Sequence, residues 1–130
     1  MDKRVLVVDD DDGTRFVLAR ALDGLGVQVV VAEDGADVPD LVAAHPFDLL
    51  VVDLYMPGMN GFEVLRQLRR PAPGFLPAPR TSSGVQVLVV SGESHSASIA
   101  NAKALGANAY LVKPLDLDTF DRTVRQLLGL

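Results

Sequence analysis

Short apolar runs, each followed by a segment of helical spacing, constrain this chain more than any other feature. Val5-Leu6-Val7-Val8, Val27 to Ala32, Leu49-Leu50-Val51-Val52, Val85 to Val90 and Ala109 to Val112 are rich in β-branched residues. None alternates cleanly between apolar and polar, so they read as strands of a sheet covered on both faces. Between them, Phe16, Val17, Ala21, Leu22 and Leu25 place a helix over Thr14 to Leu25, which Gly26 ends. A weaker helix follows near Val38 to Ala44, with Pro39 in its first turn. Phe62, Leu65 and Leu68 line one side of a helix over Gly61 to Arg69, and Ser96 to Leu105 and Leu117 to Leu128 supply two more. Regular alternation of strand and helix predicts right-handed parallel crossovers, and so a doubly wound, three-layer α/β/α domain.

Composition narrows the class. The 130 residues suffice for a single domain, 1–130, with a core that needs no staples. With no cysteine, disulfides, Cys-ligated zinc and a thiol nucleophile are excluded. The formal net charge of −5 and the lack of a basic stripe argue against direct nucleic-acid binding. No apolar run reaches the length of a membrane span. The first strand begins so close to Met1 that no signal peptide fits before it, and a soluble, cytoplasmic location is expected. Arg70 to Gly84 interrupts the rhythm with four prolines, two glycines and two serines, and reads as a long loop. A docking surface or lid is one reading of that loop; an insertion without function is the favoured one.

Chemistry gathers at the strand ends. In an open α/β sheet the ligand site lies beyond the carboxyl ends of the strands, where strand order reverses. The first strand runs into Asp9-Asp10-Asp11-Asp12 and the third into Asp53. If these strands flank the reversal, at least three carboxylates meet in one crevice, where each raises its neighbours' pKa. A hard divalent cation relieves that conflict, and Mg²⁺ suits one or two carboxylates together with a phosphate. Ser91 closes the fourth strand with a hydroxyl, and Lys113 closes the fifth with an ammonium. Acids for a metal, a hydroxyl and a cation on one edge are what phosphoryl transfer to a carboxylate requires.

Each residue also has a plainer role. The aspartates could form a solvated loop with Asp12 capping the first helix, and Asp53 could be a turn residue before Met56-Pro57-Gly58. Ser91 could start a helix, and Lys113 could guard a sheet edge. Four such explanations would have to hold together on a single edge. The coincidence favours the chemical reading. His45, before Pro46 in a loop, and His95, near the start of the fourth helix, read as surface residues.

VLVVDDDD, VVDLYMPGMNGFEVL, VLVVSGES and AYLVKP, in that order, resemble the response-regulator receiver family of bacterial two-component signalling over essentially the whole chain. The resemblance implies a five-stranded parallel sheet of order 2-1-3-4-5, a flavodoxin-like arrangement. It implies that Asp53 is the phosphoacceptor and that Asp9 and Asp10 are metal-site acids, Asp10 the more direct ligand. Tyr55 would give its backbone carbonyl to Mg²⁺, Ser91 and Lys113 would bind the phosphoryl group, and the Lys113–Pro114 bond would be cis. Ser91 and Tyr110 would form the switch, altering partner binding through the face made by the fourth helix, fifth strand and fifth helix. The plainer role for Tyr110 is a half-buried edge-strand aromatic with its hydroxyl in water. The implied partners are a histidine kinase or histidine phosphotransfer protein as donor and a downstream protein target or effector domain; a homodimer through the same face stays open. Asn60 departs from an aspartate frequent in the family, Tyr55 is bulky beside the acceptor, and the loop after Arg69 is longer than usual.

Rival functions fit less well. A phosphatase of the haloacid-dehalogenase type would carry a second aspartate where Tyr55 stands, so turnover of small substrates is not expected. A flavin or nucleotide module would need glycines and free N–H groups where four aspartates lie. A degenerate receiver, binding partners without phosphorylation, is the alternative. Whether the chain stands alone or belongs to a longer protein is open.

Overall fold

The computed structural model describes residues 2–56, 58–69 and 85–130; the loop expected over Arg70 to Gly84 lies outside these. Five strands, β1 (Arg4–Val8), β2 (Gln28–Ala32), β3 (Leu49–Val52), β4 (Gln86–Ser91) and β5 (Ala109–Val112), form one sheet of order β2-β1-β3-β4-β5. Every pairing is parallel, and Val8 at the end of β1 lies opposite Ala32 on one side and Val52 on the other. Order therefore reverses at β1, with the switch point between β1 and β3.

The helices are α1 (Asp12–Asp23), α2 (Val38–Ala44), α3 (Gly61–Arg69), α4 (Ser96–Ala104) and α5 (Leu117–Leu128), with a 3₁₀ turn at Gly35–Asp37 before α2. The unbroken apolar character of the central strands follows from what covers them. Successive side chains of a strand point to opposite faces. Leu6, Val8, Leu50 and Val52 pack under Val42, Val64, Leu65 and Ala102 of α2, α3 and α4. Val5, Val7, Leu49 and Val51 pack against Leu18, Leu22, Phe120 and Val124 of α1 and α5. With a core on each face, no strand position of β1 or β3 after Arg4 is left for a polar side chain. The outer strand β2 is partly exposed, as an edge permits.

Element ends follow local chemistry. Asp11 caps α1, accepting from the Thr14 amide at 2.8 Å and its hydroxyl at 2.7 Å. The expected cap, Asp12, is instead the first helical residue, because Asp11 keeps extended backbone angles and Asp12 does not. The helix accordingly runs from Asp12 to Asp23, earlier at both ends than its apolar spacing predicts. Asp116 caps α5 in the same way, and Gly129 closes that helix in the left-handed region at φ 72°. Among the described residues no helix is long and apolar enough to cross a membrane.

Leu50 is 1 % exposed at the centre of one core, so Leu50→Ala should cost about 2–5 kcal/mol in chemical denaturation. Val31→Ala, at a β2 position 48 % exposed, should stay within about 0.5 kcal/mol.

Candidate functional site

Backbone pairing continues past the strand ends and fixes where the functional side chains start. The Asp9 amide donates to the Ala32 carbonyl at 3.1 Å, the Asp53 amide to Val8 at 3.2 Å, and the Lys113 amide to Ser91 at 2.8 Å. Asp9 and Asp53 thus follow neighbouring strands across the switch point. Two glycines hold the loops around them. A Cβ at Gly61, the first residue of α3, would lie 2.4 Å from the Asp53 carbonyl oxygen, and one at Gly35 would lie 1.9 Å from the Met59 carbonyl oxygen. Only glycine allows these approaches.

The carboxylates of Asp9, Asp10 and Asp53 each place an oxygen within 4.8 Å of the others. Asp9 and Asp53 are buried, and Asp10 is exposed. The Lys113 ammonium joins them, with Nζ 2.9 Å from Asp9 Oδ2 and 2.9 Å from Asp53 Oδ2. Burial alone would lower the Lys113 pKa, but the hydrogen bonds to Asp53 and Asp9 outweigh it and hold the group above the ordinary lysine value. Asp9 is held further by accepting the Asp11 amide at 2.9 Å through Oδ1. Tyr55 donates its amide to Asp53 Oδ1 at 3.2 Å, while its half-exposed ring meets Phe62 edge-on.

Ser91 is fully buried at the end of β4, and its hydroxyl accepts the Glu93 amide at 3.2 Å. The structure places it one strand from Asp53 without a hydrogen bond between the two side chains. Tyr110 departs from the solvated-edge reading, since its hydroxyl donates to the Glu93 carbonyl at 2.6 Å. Burial raises the Tyr110 phenol, a hydrogen bond with Ser91 partly offsets that, and the nearby acids Glu93 and Asp53 add to the rise. Ser91, Glu93 and Tyr110 therefore form one connected group. His95 directly precedes α4 on the surface; its amide, then its ring, bond the Glu93 carboxylate and hold that acid below its usual range. His45 is exposed at the end of α2.

Arg15 was not marked by the sequence. Its guanidinium, on a side chain 14 % exposed, donates to the Asp9 carbonyl, pairs with Asp12 and lies 3.9 Å from Glu33. The available signal was an arginine three residues after Asp12, one helical turn from the aspartate run.

The donor set suits a hard divalent cation. Three carboxylates face one ammonium, so two negative charges stay unmatched among these four groups, and every offered ligand atom is oxygen. Among the described residues, Asp9, Asp10 and Asp53 form a group that could hold such an ion.

Two outcomes follow from this electrostatic arrangement. The folded Lys113 pKa exceeds its unfolded value, so its stabilising contribution is complete below the ordinary lysine range. That contribution is lost as pH rises through the raised folded value; Lys113→Met should flatten the alkaline limb of stability against pH. Asp10→Asn should raise the melting temperature of the metal-free protein by relieving repulsion, and added Mg²⁺ should raise the melting temperature of wild type more than that of the variant, as scanning calorimetry can show.

Known proteins share this fold and sequence pattern. The sequence model of the response regulator receiver domain matches residues 5–125. Protein PilH of Pseudomonas aeruginosa is 33 % identical over 126 residues, covering 97 % of this chain and 98 % of PilH. Response regulator MprA of Mycobacterium bovis is 38 % identical over 129 residues, 98 % of this chain but 51 % of MprA. The chain thus spans about half the length of that relative. Among solved structures, the Vibrio cholerae chemotaxis protein CheY4 superposes with a TM-score of 0.85 at 27 % identity, covering 98 % of this chain and 100 % of that one.

Proposed function

The chain belongs to the response regulator receiver domain family, and on that premise we propose that it is a phosphoacceptor whose acceptor residue is Asp53. The observation that carries this reading is the bridge from Lys113 to both Asp9 and Asp53, at 2.9 Å each, at the switch point of the sheet. The donor is a phosphohistidine on a histidine kinase or phosphotransfer protein. An Asp53 carboxylate oxygen attacks phosphorus, the P–N bond breaks, and the imidazole leaves with the electron pair while an acyl phosphate forms.

Each neighbour has a part in that step. Asp9, Asp10, Asp53 and the Tyr55 backbone carbonyl would hold Mg²⁺, which when bound supplies positive charge against the phosphoryl oxygens. Lys113, already on the Asp53 carboxylate, moves its ammonium a short way to pair with a phosphoryl oxygen. The Ser91 hydroxyl donates to another. That shift draws on the group Ser91 shares with Glu93 and Tyr110, so the added charge reaches β5 and the start of α4. The face of α4, β5 and α5 then changes its affinity for a protein target or effector domain. The chain turns over only its own phosphoryl group, since Tyr55 offers no carboxylate to act as acid or base on a small substrate. Such a switch would work in the cytoplasm beside its kinase. The alternative is an interaction module independent of phosphorylation; Asp53, Lys113 and the Ser91 hydroxyl at successive strand ends support the phosphoacceptor reading over it.

The test is intact mass after incubation with acetyl phosphate, with and without Mg²⁺. Wild type should gain one phosphoryl group only with Mg²⁺, and Asp53→Asn should gain none. A gain that survives in Asp53→Asn would refute the assignment.

A further inference from the structure

We propose that Arg15 is a positioning residue for the cation site, fixing the Asp9–Asp10 peptide so that both carboxylates are set before a metal arrives. The inference rests on the phosphoacceptor reading, which supplies the role of those acids. Asp10 is exposed, and among the described residues no hydrogen bond holds its side chain. The position of its carboxylate therefore depends on its backbone. The Asp9 carbonyl and the Asp10 amide belong to one planar unit, so a donor that fixes the carbonyl also fixes the direction in which the chain enters Asp10. Arg15 is that donor.

The rest of the guanidinium is anchored too. One terminal nitrogen serves the Asp9 carbonyl; the other pairs with Asp12 in the first turn of α1 and lies 3.9 Å from Glu33, the residue after β2. The planar fork thereby ties the aspartate turn to both the helix and the sheet edge, a geometry that a single ammonium does not reproduce. Together with the Asp9 amide on Ala32 and the Asp11 amide on the Asp9 carboxylate, it holds the turn at three points. Groups that orient metal ligands from behind typically affect metal affinity by about 10–100-fold.

The sign of the effect distinguishes this role from simple electrostatics. A guanidinium beside a cation site repels the cation, so removing its charge alone would tighten binding. Loss of positioning weakens it. The experiment is calorimetric titration of the whole chain with Mg²⁺ for wild type, Arg15→Gln and Arg15→Lys, with folding of each checked by thermal unfolding. Both variants should bind about 10-fold more weakly than wild type. Arg15→Lys, which keeps the charge and loses the fork, carries the test alone if Arg15→Gln does not fold. In metal-free samples the Asp10 and Asp11 amides should exchange hydrogen faster in the variants. At saturating Mg²⁺ the maximal rate of acetyl phosphate labelling should return to the wild-type value, with only the Mg²⁺ requirement raised. Equal or tighter Mg²⁺ binding by Arg15→Gln, or unchanged exchange at both amides, would overturn the proposal. Absence of Mg²⁺ binding by wild type would instead refute the metal-site reading beneath it.

Discussion

The hydrogen bonds from Lys113 to Asp9 and Asp53 are what the rest of the site is arranged around. Two carboxylates buried side by side are unfavourable in water-poor surroundings, and a third stands within 4.8 Å of them. A single ammonium from the end of β5 reaches across β4's position in the sheet to hold the pair together. That reach depends on the parallel register, which brings the carboxyl ends of β1, β3 and β5 to one edge. The fold therefore stores a charge imbalance that a divalent cation can resolve.

The connection from this cluster to the surface is short. Ser91 sits at the end of β4, its hydroxyl bonded to the Glu93 amide, and the Glu93 carbonyl accepts from Tyr110 on β5. A change in what Ser91 bonds must alter the β4–α4 turn, the Tyr110 side chain, or both. The Glu93 carboxylate is tied meanwhile to His95 at the start of α4, so the same turn positions that helix. Under the proposed phosphorylation, this group of a few hydrogen bonds would suit a small packing change driven by one added group.

Much of this was legible in the residues. The central strands announced themselves because a sheet covered on both faces admits only apolar side chains, and the first polar residue after each strand marks the functional edge. The strand ends placed the Asp9–Asp12 run, Asp53 and Lys113 on one edge, whereas the choice of Asp9 and Asp10 within that run came from the family resemblance. Helix α4 was legible only from its place in the alternation, since its small residues carry no apolar stripe. The cap of α1 was missed by one residue, because adjacent aspartates can both cap and only backbone angles choose between them. Arg15 was missed because its meaning comes from a loop carbonyl and the end of β2, and Tyr110's partner is a backbone oxygen on another segment. Contacts to the main chain leave no trace in residue type.

The acid at the end of β3, rather than its neighbours, is the proposed site of covalent modification. Borohydride reduction of the phosphorylated protein converts an acyl phosphate side chain to an alcohol, and tandem mass spectrometry of its peptides locates the converted residue. Conversion at position 53 alone is the predicted result. Conversion at Asp9 or Asp10, or phosphate that resists borohydride and maps to His45 or His95, would contradict it.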